Sequence, residues 1–242
     1  MPQTQALEKA VDTLVSGYKN KITGFGIAEF LETGVDPFRF TVNVSMWGLK
    51  QAIRKEIEHK IEMTLENLVG DFHENYLGNV KHIPSNTSWK LIPEGKILGI
   101  DIVNEEQKFY LQIKSKHNSM NSSSSKKLAQ ELKELAEQKQ GATVGCVWVV
   151  ATQRKKAIGE NLISEVGVCY KGNKVYEVIT GEKDELNKVL EELLVLIPKK
   201  IAGIDFDKLL DSASERVSTA LVKLAETSKR TPIQVVTSKS ID

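Results

Sequence analysis

Residues 96–116 read KILGIDIVNEEQKFYLQIKSK, and the way side chains alternate along them decides the fold class. KILGIDIV, residues 96–103, is apolar and β-branched, which suits a pleated, largely buried strand. FYLQIKSK, residues 109–116, alternates its side chains and predicts a second strand. The polar turn NEEQK between them predicts an antiparallel hairpin. Asp101 interrupts the first strand, and a carboxylate there is costly to bury unless it is paired or binds a metal. Gln112 and Lys114 stand two apart on the second strand and so share a face. Pairing of the two strands brings Asp101, Gln112 and Lys114 to one patch.

Working downstream, the serines of residues 122–125 offer an N-cap for the helix KKLAQELKELAEQ. TVGCVWVVAT, residues 143–152, reads as a strand buried on both faces. VGVCYKG and NKVYEVITG, residues 166–181, read as a further strand pair. Helices are predicted over 184–196 and 205–227, then a polar tail. Working upstream, residues 78–95 carry Gly78, Pro84, Pro93 and Gly95 and read as an irregular loop. A long helix is expected over 49–77, open to a break at Gly70. Ile53, Ile57, Ile61, Leu65, Leu68 and Phe72 form its apolar stripe, with Glu56, Glu58, Glu62 and Glu66 beside it. Residues 22–46 are rich in glycine and read as loop, with a strand at FRFTVNV. Residues 4–20 form an amphipathic helix.

This order predicts an α/β (α+β) domain, a mixed β-sheet flanked by helices. One domain over 1–242 is expected, with an N-terminal helix and loop region (1–48), a catalytic core (49–181) and C-terminal helices (182–242).

Composition narrows the function without naming it. The chain is 40% apolar and 27% charged with a net charge of +1, so any nucleic-acid contact rests on local rather than global charge. Cys146 and Cys169 sit in apolar runs and read as buried free thiols, which leaves no structural zinc cluster. The first residues lack a basic region followed by an apolar one, and the longest apolar run, LLVLI, is far too short to cross a bilayer. A soluble, cytoplasmic protein without membrane contact is expected.

The patch has a chemical logic. Phosphodiester hydrolysis calls for a metal that neutralises phosphate charge and activates water. Oxygen ligands suit Mg²⁺. Asp101, the Gln112 side-chain oxygen and the Ile113 carbonyl are the candidate ligands, and Lys114 is the candidate catalytic cation.

With these residues the chain resembles the PD-(D/E)xK nuclease superfamily. LQIKSKHNSMNSSSSKKL resembles a segment of type II restriction endonucleases that cut GGNCC-type sites, where the strand reads close to EVKNKHNTM. GDFHENYLG, residues 70–78, resembles a helix-end motif of the same group. The likeness spans roughly residues 60–130. Two departures stand out: Gly99 and Ile100 replace the usual proline before Asp101, and Gln112 replaces the usual acidic residue. The resemblance implies a helix carboxylate that supplies the missing charge, with Glu66 preferred and Glu62 second. It implies DNA contacts by Lys116, His117 and Asn118, and leaves His73 without an assigned role. It also implies cleavage of double-stranded DNA at a GGNCC-like palindrome, leaving 5′-phosphate ends, and palindromy implies a homodimer. The basic cluster with Arg154 and Lys155 after residues 143–152 is a further candidate for phosphate contact. Two other readings stay open: a repair, recombination or transposition nuclease of the same fold, and an inactive DNA-binding module.

Overall fold

The computed structural model describes residues 2–32, 34–93, 96–97, 99–116, 120–150 and 156–241, apart from the side chains of 239–241. In chain order its elements open with helices α1 (Gln3–Gly24), α2 (Ile27–Glu32), α3 (Pro37–Trp47) and α4 (Leu49–Leu77). Short strands β1 (Lys81–His82), β2 (Thr87–Ser88) and β3 (Lys90–Leu91) lead to β4 (Ile102–Asn104) and β5 (Phe109–Lys116). Helix α5 (Ser122–Gln138), strand β6 (Thr143–Val150), helix α6 (Glu160–Ser164) and strand β7 (Val168–Lys171) follow. Helices α7 (Asn173–Thr180), α8 (Glu185–Lys200), α9 (Phe206–Ser228) and α10 (Pro232–Ile241) complete the chain. The chain divides into two compact units, Met1–Leu14 with Val69–Lys200, and Val15–Leu68 with Ile201–Asp242.

The first unit holds a five-stranded mixed sheet in the order β3-β4-β5-β6-β7. β3, β4 and β5 pair antiparallel, and β5, β6 and β7 pair parallel. One face is covered by α5 and α6, with Val103, Tyr110, Leu128, Leu132, Cys146, Trp148 and Ile163 in a common core. β6 is buried at six consecutive positions, as its apolar run requires. The expected hairpin is present, and its turn leaves Lys108 in the left-handed region at φ 56°. β4 is shorter than the eight residues of KILGIDIV suggest, because Gly99 turns the chain at φ +68° and Asp101 stands just outside the ladder. This is the α/β arrangement expected from the sequence.

The second unit is helical. Ile22, Phe25, Phe30, Phe40, Ile53, Ile57, Ile61, Val217 and Leu221 form its buried core. Each such aliphatic or aromatic side chain contributes about 1.5–3 kcal/mol on burial. The stripe expected on α4 holds for Ile53, Ile57 and Ile61 here and for Phe72 in the first unit, while Leu65 is exposed. The helix is not interrupted at Gly70.

Four expectations are corrected, the first two for related reasons. FRFTVNV lies in helix α3 rather than in a strand. Asp36 caps the helix by accepting from Phe38 N and Arg39 N, and Pro37 presets the first helical turn. Phe40 then packs edge-on against Phe30 with ring centroids 5.9 Å apart. NKVYEVITG likewise forms helix α7, where Val175, Tyr176 and Ile179 bury one face at helical spacing. Gly172 and Gly181 bracket it, and Gly181 ends it in the left-handed conformation. In both, capping and burial of one face outweigh the β-propensity of branched residues. The polar tail is helical too, as α10. The cap of α5 is Asn121, one residue before the serine run, accepting from Ser124 N. Asp36→Ala is expected to cost about 1 kcal/mol, read as a lower urea midpoint with an unchanged slope.

Candidate active site

The end of the β4–β5 ladder builds the site. Ile102 pairs with Leu111, and one step further Asp101 N still donates to Leu111 O at 3.0 Å. The strand goes no further. The Asp101 side chain takes over as acceptor, with Oδ2 receiving Ile113 N at 2.7 Å. Gln112 Nε2 donates to the same oxygen. A backbone N–H that loses its strand partner is thus satisfied by a carboxylate, which fixes where that carboxylate points. Gly99 makes this turn possible. A Cβ there would meet Glu131 Oε2 at 2.8 Å and Leu128 Cδ1 at 2.9 Å, in a backbone conformation that other residues rarely adopt.

Gln112 and Lys114 share a face of β5, in register with Cys146 and Trp148 of the parallel β6. Gln112 is 8% exposed and Lys114 half-buried, so the central strands hold both stems. Burial pushes the Cys146 thiol up, against the pull of the Lys114 charge, and burial raises Cys169 to about 11, so neither is a thiolate at neutral pH. Both are free cysteines.

Asp101, Gln112 and Lys114 line one cavity of about 450 Å³, together with Glu74, Ile92, Ile97 and Ile100. A cavity of similar size, about 480 Å³, lies by α8 between Thr4, Lys188, Glu191 and Val195, with one apolar wall and no convergent catalytic set. The 450 Å³ cavity is where the chemistry-bearing residues meet. Among the described residues its side-chain donors are two carboxylates, an amide and an ammonium, without His or Cys. Among the described residues no three His, Cys, Asp or Glu side chains cluster as a ready-made metal cage. Two carboxylates and an amide nonetheless fit a hard, oxygen-preferring cation that keeps several waters.

The sequence expectations fall out unevenly over this geometry. Asp101, Gln112 and Lys114 come together. Ile113 takes part through its N–H, which holds Asp101. Glu62 and Glu66 fall in Val15–Leu68, the other unit, whereas the helix carboxylate lining this cavity is Glu74. Lys116 ends β5, paired in register with Val150. His117, Asn118, Arg154 and Lys155 lie outside the described residues. His73 is buried, with Nδ1 2.9 Å from the Tyr176 hydroxyl, and burial lowers its pKa to about 4, so it is a neutral imidazole. Glu74 was legible in principle. It sits in GDFHENYLG, closest in the chain to the hairpin, and a Cβ placed on Gly70 one turn earlier would lie 4.0 Å from Ser115 Cβ of β5.

A family model described as Eco47II restriction endonuclease matches residues 3–202. The chain belongs to the Eco47II restriction endonuclease family. It is therefore an endonuclease of a restriction system, and DNA is its substrate. The type II restriction enzyme Sau96I of Staphylococcus aureus is 23% identical over 199 residues, covering 76% of this chain and 73% of that enzyme. The stretch matched to the Eco47II family includes the hairpin, Glu74 and the whole mixed sheet. No described helix is long and apolar enough to cross a membrane.

Proposed function

We propose that this protein is a type II restriction endonuclease that hydrolyses double-stranded DNA at a short GGNCC-like palindrome with Mg²⁺, acting as a homodimer. The observation that carries the proposal is the convergence of Glu74, Asp101, Gln112 and Lys114 on one polar cavity at the end of a hairpin. The 23% identity to the type II enzyme Sau96I supports the class.

In this reading Asp101 and Glu74 hold the metal, with the Gln112 amide oxygen as a neutral third donor. When bound, Mg²⁺ neutralises phosphate charge and lowers the pKa of an attacking water. Asp101 is oriented for its role before any ligand arrives, through the N–H of Ile113 and the amide of Gln112. Lys114 brings a positive charge to the phosphate oxygens where negative charge accumulates as the bond breaks, and orients the attacking water. Glu74 stands in for the charge that Gln112 lacks, the role for which the sequence alone points to Glu66 or Glu62. Lys116 contacts the DNA, and His117, Asn118, Arg154 and Lys155 are further DNA contacts by their place in the sequence.

Digestion of a long plasmid in Mg²⁺ tests the proposal. Discrete bands whose mapped ends share one short palindrome and carry 5′-phosphates are expected, with full loss in EDTA. Cuts spread over structures such as junctions or flaps would point instead to a repair or recombination nuclease. No cutting at all in Mg²⁺ or Mn²⁺ would mark a DNA-binding module.

A further inference from the structure

The motif GDFHENYLG carries more polar side chains than its one cavity-lining glutamate explains. His73 and Tyr76 flank Glu74 in the last turns of α4, and both are buried. His73 Nδ1 lies 2.9 Å from the Tyr176 hydroxyl on α7. The Tyr76 hydroxyl donates to Glu185 Oε1 on α8 at 2.6 Å. The rings of Tyr76 and Tyr176 stack with centroids 6.0 Å apart, so the two hydrogen bonds belong to one buried assembly. Glu185 is 5% exposed, and its second oxygen lies 3.8 Å from Lys188 Nζ, so its burial is compensated on both sides.

Successive residues of a helix point about 100° apart. Apolar packing alone tolerates a small rotation of such a helix, because many rotamers fill a greasy groove almost equally well. Two directional bonds, one residue before Glu74 and two residues after it, do not. They fix both the rotation and the depth of the last turns of α4. Glu74 lines the cavity on a different side of the same turns. We propose that Tyr176 and Glu185 are positioning residues. Through His73 and Tyr76 they clamp the end of α4 so that the Glu74 carboxylate faces Asp101. This rests on the reading of Glu74 as a metal-holding residue.

The test is Mn²⁺ affinity of the full-length protein, measured from the electron paramagnetic resonance of free Mn²⁺ without any turnover. Tyr176→Phe and Glu185→Ala each remove one bond of the clamp and are expected to weaken Mn²⁺ binding about tenfold, in the range found for supporting shells of metal sites. Glu185→Gln keeps an acceptor for the Tyr76 hydroxyl and is expected to bind within about twofold of the parent, too small a change to disturb a metal site. Val189→Ala loosens the buried face of α8 without touching either bond. It is expected to lower Tm and leave Mn²⁺ affinity unchanged. Parent-like affinity in both Tyr176→Phe and Glu185→Ala overturns the clamp, as does an equal loss in Val189→Ala, which would mark a general loosening. Glu74→Gln separates the two ideas. If it binds Mn²⁺ like the parent, the reading of Glu74 fails and the clamp fails with it. If it weakens binding while Tyr176→Phe and Glu185→Ala do not, only the clamp is overturned.

Discussion

Lys114→Ala is expected to slow single-turnover DNA cleavage by about 10²–10³-fold, the loss typical when one charge-stabilising donor leaves a hydrolytic site. Binding of uncut DNA, measured in Ca²⁺, should stay near that of the parent. The residue belongs to the middle of β5, held in register by Trp148 of β6, so its ammonium reaches the cavity from a rigid base. Removing it leaves the strand pairing intact, and Tm should barely move. Lys114→Arg is expected to rescue little, because a planar guanidinium does not occupy the place of a compact ammonium. A variant that cuts at the parent rate would remove Lys114 from the mechanism.

The second large effect separates two glutamates. Glu74→Gln is expected to raise the Mg²⁺ concentration for half-maximal cleavage by about 10–100-fold, and Glu66→Gln to leave it unchanged. The argument is one of charge. Divalent cations are gripped according to the number of charged oxygens offered. Gln112 offers none, so among the described residues the carboxylates lining the cavity are those of Asp101 and Glu74. Removing one of the two halves its anionic charge, a larger change than in a site with three carboxylates. A shift in Glu66→Gln without one in Glu74→Gln would restore the assignment first read from the sequence.

The hairpin was the most legible part of the chain because its information is local. Alternation in LQIKSK, an apolar run before the turn and a polar turn between the strands leave little else for these residues to form. Asp101 stood out for the same reason, as a charge in an apolar run. The strand around it was overestimated. Composition does not reveal that Gly99 turns the chain, or that the Asp101 side chain replaces a backbone acceptor for Ile113. The Val, Ile and Phe of the segments that form helices α3 and α7 predict strands there. The deciding features were the Asp36 and Pro37 start of α3 and the two glycines around α7, which act at the ends of a segment rather than along it. Glu62 and Glu66 stand beside the apolar stripe of α4, whose Ile53, Ile57 and Ile61 serve the core of the other unit, whereas Glu74 lies nearer the helix end and lines the cavity. Which turn of a 29-residue helix meets the hairpin is a tertiary fact.

The central claim, that Asp101 and Lys114 form one metal-dependent nuclease centre, is tested most directly by plasmid cleavage. Parent protein, Asp101→Ala and Lys114→Ala, each freed of metal with EDTA, are to be assayed side by side before and after Mg²⁺ is restored. At an incubation that just completes digestion by the parent, the account predicts discrete fragments from the parent only with Mg²⁺, and essentially intact plasmid from both variants although they remain folded. Fragments of the same pattern from both variants, or from the parent without any divalent metal, would contradict it.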